Sequence, residues 1–366
     1  MKKLLLFSML SYICFAQDAS WTSKMKELQN TLIDLWTHTN TETNLKKLTT
    51  LSKDISEKHT KMKSPDLDPS MGLFIEIFDK QANRAYQSYK NGQKNYAQSI
   101  VKNISGQCIA CHSRHSSGPE FAKIPANKKI DALSPFEKAQ FYAATRQFDA
   151  ALPIYNTILS DEKMNTKRQI EWQKSAQQAL AIAVRYKNNP DLAQEIAQKI
   201  IDSKAPDFLK KHASTWKTSI EKWKTENKDS LKTDKDYLEL GKKLFKTGTE
   251  NQKYSLDHSS DIYFLRVTAL MHELMSKFPQ SPLLSEALLL NGRSYEIIND
   301  QNIWPIHEMF YELCIKKSPH TPIAKDCYNH FEESVYFGYS GSGGFAIPAD
   351  VQQTLEELKK ASNPKS

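Results

Sequence analysis

Lys94-Asn95-Tyr96-Ala97-Gln98-Ser99-Ile100-Val101-Lys102-Asn103-Ile104-Ser105-Gly106-Gln107-Cys108-Ile109-Ala110-Cys111-His112 joins two signals in one continuous run. Tyr96, Ile100, Val101 and Ile104 recur as one face of a helix. The run then ends in Cys108-Ile109-Ala110-Cys111-His112, the Cys-x-x-Cys-His string that reads as attachment of a c-type haem. Two thiols three positions apart on a helical turn can both join the vinyl edges of one porphyrin, and the histidine that follows projects under the iron as the proximal ligand. The string occurs once in the chain, so one covalently attached haem c is implied.

Two other chemistries use a Cys-x-x-Cys pair. A thioredoxin-like dithiol normally follows a strand and opens a helix, whereas this one closes a helical run. A zinc site needs further ligands; His115 could supply one, but no second Cys-x-x-Cys exists.

Upstream, the periodicity predicts three more helices. Trp21, Met25, Leu28, Leu32 and Leu35 mark the first, and Leu45, Leu48, Leu51 and Ile55 the second. Pro65, Asp66, Asp68 and Pro69 read as a loop. Ser70 is the expected N-cap of the third helix, whose apolar side holds Met71, Phe74, Ile77, Phe78, Ala82 and Tyr86. Asn91-Gly92 is a turn, and Gly118-Pro119 should stop the fourth helix.

Over residues 20–120 this arrangement resembles the helical class of c-type cytochromes, of which cytochrome c-prime and its low-spin relatives are members. The resemblance rests on Cys108, Cys111 and His112. It implies a four-helix bundle with the attachment string near the end of its last helix, and electron transfer or binding of a diatomic gas. Over 200 further residues depart from the simplest members.

In an up-and-down bundle the starts of the first and third helices lie beside the end of the fourth. Met71 precedes Asn91 by as many residues as His112 follows Gly92, so at about 1.5 Å per residue both climb equally far. Met71 is therefore the favoured sixth iron ligand. Met25 is the second candidate, with core filling as its ordinary role. His59 and Met62 reach the same pole beyond the clear apolar stripe. His115 lies three residues from His112 on one helix and cannot curl round the porphyrin. Arg114 is a candidate propionate partner, or a solvated arginine.

Met1-Lys2-Lys3, the apolar Leu4 to Leu10 stretch and Cys14-Phe15-Ala16 before Gln17 read as a secretory signal, expected to be removed after Ala16. The apolar part is shorter than the roughly 20 residues of a membrane helix, and no later segment is long and apolar enough for one. The expected location is the periplasm. Of five cysteines, Cys14 leaves with the signal and Cys314 and Cys327 remain as a pair, either a disulfide or two buried thiols. The net charge of +8 is mild, and lysine is spread without an aromatic-interleaved basic block. Nucleic acid is thus a poor partner.

From Ser134 the texture changes to helix pairs. Ala139, Tyr142, Phe148, Ala151 and Tyr155 are similar to the small-and-aromatic positions of a tetratricopeptide unit. Phe278-Pro279-Gln280-Ser281-Pro282 with Ala287, Gly292 and Tyr295, and Ser318-Pro319-His320-Thr321-Pro322 with Ala324, Tyr328 and Phe331, resemble two further divergent copies. Trp216, Ile220 and Trp223 give the lysine-rich 211–235 segment one helical stripe. Tyr339-Ser340-Gly341-Ser342-Gly343-Gly344 reads as a flexible connector, without the lysine of a nucleotide loop, before a closing helix over 351–360.

The expected organisation is therefore all-α. A signal occupies 1–16, a haem-binding four-helix bundle 17–120, and a tetratricopeptide-like solenoid 131–225 and 226–366, the last part carrying the closing helix. Such arrays present a concave face to protein or peptide partners. The leading expectation is an exported monohaem cytochrome that transfers electrons while its repeats dock a periplasmic redox or scaffold protein. The alternative is a haem-containing scaffold for gas or redox sensing. No distal acid–base cluster argues for an enzyme.

Overall fold

The computed structural model describes residues 12–61, 69–112, 128–226, 231–254, 257–298 and 306–363. These residues form an α-helical protein with very little strand. In chain order the helices are α1 (Tyr12–Trp36), α2 (Thr41–Lys61), α3 (Pro69–Lys90), α4 (Lys94–His112), α5 (Lys128–Asp131), α6 (Pro135–Ala144), α7 (Phe148–Ser160), α8 (Glu162–Lys167) and α9 (Gln169–Ala181). A π-helical turn (Ile182–Tyr186) follows, then α10 (Pro190–Asp202), α11 (Asp207–Lys224), α12 (Asp234–Asn251), a 3-10 turn (His258–Ser260), α13 (Asp261–Lys277), α14 (Leu284–Ile298), α15 (Ile306–Lys317) and α16 (Pro322–Gly338). Two short antiparallel strands, β1 (Ser340–Gly341) and β2 (Gly344–Phe345), precede α17 (Ala349–Ser362). No helix among the described residues is long and apolar enough to cross a membrane.

Two compact units divide between Gln147 and Phe148; the first turn of α3, residues 69–73, groups with the second unit. In the first unit most of the sequence stripes become the core, while Ile77 and Tyr86 of α3 are half-buried and Ile75 and Ala85 are buried beside them. Leu28, Leu32 and Leu35 of α1, Leu45, Leu48, Leu51 and Ile55 of α2, Phe74, Phe78 and Ala82 of α3, and Ile100, Val101 and Ile104 of α4 are all buried. Each large aliphatic in that set contributes roughly 1.5–3 kcal/mol on leaving water. Polar clips set the helix pairs: Ser52 donates to Asp79 Oδ1 at 2.6 Å between α2 and α3, and Lys90 reaches Glu42 at 3.4 Å. Gly92, at φ +81°, closes the α3–α4 turn by letting Gln93 N–H reach back to the Ser88 carbonyl at 2.9 Å.

Three local expectations are corrected. Tyr96 is 41% exposed; its ring lies 5.7 Å from the Arg84 guanidinium on α3, and Ala97 turns inward in its place. Helix α3 starts at Pro69, one residue before the expected Ser70 cap, because proline's missing N–H costs nothing at a first helical position. Helix α6, expected to open the repeats, packs on α4 in the first unit. The expected Gly118-Pro119 stop lies outside the described residues.

In the second unit, helices from α10 onward pack chiefly on their neighbours in sequence. Their starts are chemically marked. Asn189 accepts from Leu192 N–H at 3.1 Å with Pro190 next in line, Thr233 and Asp236 form a reciprocal capping box, and Thr321 caps α16 before Pro322. Ala287, Tyr295, Ala324, Tyr328 and Phe331 are buried. Gly292 allows a ring to approach: a Cβ there would stand 2.5 Å from Tyr311 Cε1. Cys314 of α15 and Cys327 of α16 are joined as a disulfide, with Cα atoms 6.2 Å apart. The glycine-rich connector is a paired hairpin, Ser340 opposite Phe345 and Gly341 opposite Gly344.

Candidate functional site

Helix α4 carries the Cys-x-x-Cys-His string, and three contacts fix the helix. Gln98 Nε2 donates to the Leu35 carbonyl at 3.2 Å near the end of α1. Lys102 donates to Glu137 Oε1 of α6 at 2.9 Å, and its ammonium stands 5.7 Å from the centre of the Trp36 ring. That ring meets Phe141 edge-on at 5.7 Å. Burial alone would raise the Glu137 pKa, but hydrogen bonds from Lys102 and Ser134 outweigh it and hold the carboxyl below its ordinary value. The carboxylate stays charged, and α4 stays tied to α6.

From this anchored stretch α4 continues without a break to His112. Positions 108, 111 and 112 are therefore spaced i, i+3 and i+4 on one helix, which places them on a single face within about 6 Å of axial rise. The side chains of Cys108, Cys111 and His112 lie outside the described residues. So do those of Met71, in the first turn of α3, and His59, in α2, while Met62, Arg114 and His115 lie outside entirely. Met25 is described: it is half-buried on α1, beside Lys24, which pairs with Asp54 of α2. Of the expected site residues the structure thus places Cys108, Cys111, His112, Met71 and His59 by backbone on α4, α3 and α2, and describes the side-chain burial of Met25 on α1.

The donor set fits a covalent haem on chemical grounds. Two thiols and an imidazole on one helical face are the groups that such an attachment uses. Among the described residues no cluster of three or more His, Cys, Asp or Glu side chains converges as a metal site.

A second feature had no sequence motif. In the second unit a cleft of about 340 Å³ is lined by Val184, Trp223, Glu226, Tyr237, Arg266 and Lys277, among others. Arg266 pairs with Glu226 through Nη1 and Nη2, its two terminal guanidinium nitrogens, and lies 5.0 Å from the Trp223 ring centre. Lys277 meets Glu273 at 2.6 Å and donates to Tyr237 Oη at 2.7 Å; these bonds push its pKa up to about 12. The walls come from segments far apart in sequence, which local periodicity does not connect.

On the helix pair that the disulfide joins, Ser334 of α16 bridges two titratable groups of α15. Its hydroxyl donates to Glu308 Oε1 at 2.7 Å and lies 2.7 Å from His307 Nε2. Burial pushes the Glu308 carboxyl up to about 7 and the His307 imidazole down to about 4, each toward its neutral form. Comparison with protein-family models, with curated proteins and with solved structures finds no match for this chain.

Proposed function

We propose that the protein is an exported monohaem c-type cytochrome that transfers electrons, with its second unit, a tetratricopeptide-like helical array, docking a protein partner. One observation carries the reading: α4 is helical through His112, so Cys108, Cys111 and His112 share the face that haem attachment requires. Each thiol would add across one vinyl double bond, sulfur to one carbon and hydrogen to the other, a step that consumes no oxidant. His112 would then hold the iron from one side, and Met71 is the favoured residue for the other. Bound haem supplies a one-electron couple; the helix supplies its anchorage and orientation. The Cys314–Cys327 disulfide supports an oxidising compartment, and with the N-terminal signal it favours the periplasm. The cleft bearing Trp223, Tyr237 and Arg266 offers a partner's side chains aliphatic and ring residues together with fixed charged groups.

The test is expression with the native N-terminus in a host that attaches haem c. The parent protein should carry one haem per chain, and Cys108→Ala/Cys111→Ala should carry none after denaturing extraction. A parent purified without haem from such a host overturns the reading.

A further inference from the structure

Residues 334–349 contain no charged side chain, in a chain that is 25% charged. This run closes α16, forms the β1–β2 hairpin and leads into α17. Nearly all of it past Val335 faces solvent, yet it is rich in rings. Phe337 is 84% exposed, Phe345 66% and Tyr336 36%. The hairpin brings two of them together beside Phe337, the next residue of α16: pairing Ser340 with Phe345 sets the Phe345 ring edge-on to Tyr336, with centroids 5.1 Å apart. Main-chain groups at its base are satisfied internally, Ala346 N–H by the Tyr339 carbonyl at 3.1 Å and the Phe337 carbonyl by Ser340 Oγ at 2.9 Å.

We propose that this hairpin is a peripheral membrane anchor, inserting Phe337 and Phe345 at the boundary between lipid headgroups and acyl chains. Three properties select a bilayer over a protein partner. The exposed rings sit on or beside a small closed hairpin. Its uncharged length matches an apolar phase, whereas a protein interface keeps a polar rim. At about 150–250 Å² per ring, the exposed parts of Tyr336, Phe337 and Phe345 offer roughly 400 Å², about half of the 800 Å² or so that each partner buries in a stable protein complex. Interfacial anchoring needs no minimum area of that kind; it scales with the apolar surface inserted. Tyrosine and phenylalanine tolerate such a boundary, and the Ser-Gly tip puts no ion into it.

Flotation with phosphatidylcholine vesicles tests this, because a zwitterionic surface gives the chain's lysines nothing to pair with. The full-length protein should float at both low and high salt. Phe337→Ser/Phe345→Ser should weaken the association about tenfold or more, with an unchanged circular-dichroism spectrum since both rings are already exposed. Ser342→Asp, which puts a charge in the tip and leaves both rings, should weaken it too. No flotation of the parent overturns the proposal, and so does flotation that both variants retain. Self-association that the phenylalanine variant abolishes, without vesicle binding by the parent, would make a second copy the occupant and also overturn it.

Discussion

Lys102 of α4 and Glu137 of α6 meet at 2.9 Å, and the carboxylate that receives this bond also serves the start of its own helix. Ser134 donates to Glu137 Oε2 at 2.9 Å and accepts from Glu137 N–H at 3.4 Å. One side chain thus completes a helix cap and holds the helix that carries the attachment string.

Glu137→Ala should lower stability by about 1 kcal/mol at neutral pH, mostly through the lost hydrogen bond from Ser134 to the carboxylate, because a partly exposed ion pair adds little and the Ser134 cap on the residue-137 N–H stays. The native pKa of Glu137 lies below its ordinary value, so its contribution is complete above that ordinary value and fades as pH falls through the native one. Thermal melts of parent and variant should converge in acid. A difference that persists unchanged at low pH would contradict this.

Glu308 behaves in the opposite sense. Its native pKa of about 7 exceeds the ordinary carboxyl value, so the native state binds more protons between the two and stability falls as pH rises through that window. Glu308→Gln keeps the acceptor for Ser334 and removes the ionisation. It should leave stability unchanged in acid and raise it above neutrality, by up to roughly 3 kcal/mol. His307, held neutral down to about 4, loses stability as pH falls, so the parent curve flattens where the two effects overlap. Equal melting of parent and Glu308→Gln at alkaline pH would contradict the assignment.

Gly292→Ala should destabilise the second unit by about 1–3 kcal/mol, since the added methyl meets the Tyr311 ring at 2.5 Å. Tyr311→Leu should relieve part of that loss in the double variant. Additive losses would show that the ring is not what the methyl strikes.

What was legible in the sequence was local. Leu45, Leu48, Leu51 and Ile55 announce α2 because every member of the stripe faces one core. Tyr96 misled because its partner, Arg84, sits on another helix. The packing of α6 on α4 is hidden for the same reason: Lys102–Glu137 and Trp36–Phe141 join residues that periodicity treats separately. That Gly292 lies against the Tyr311 ring has no local signal, because the ring comes from another helix. The cleft and the Glu308–Ser334–His307 cluster left no local trace.

Met71→Leu is nearly volume-neutral and should cost under about 1.5 kcal/mol in folding. If the Met71 thioether ligates the iron, the change should shift the spectrum from low-spin toward high-spin and speed carbon monoxide binding. A spectrum altered by Met25→Leu in its place moves the ligand to α1. A parent already high-spin and indifferent to both favours gas binding or sensing over electron transfer.

The most direct measurement of the central claim is the intact mass of the exported polypeptide after denaturation in acid and organic solvent. Thioether bonds survive that treatment and axial ligation does not, so the chain should carry the added mass of one haem, and Cys108→Ala/Cys111→Ala should show the bare polypeptide. A bare mass for the parent, obtained from a host that attaches haem c, would contradict the account.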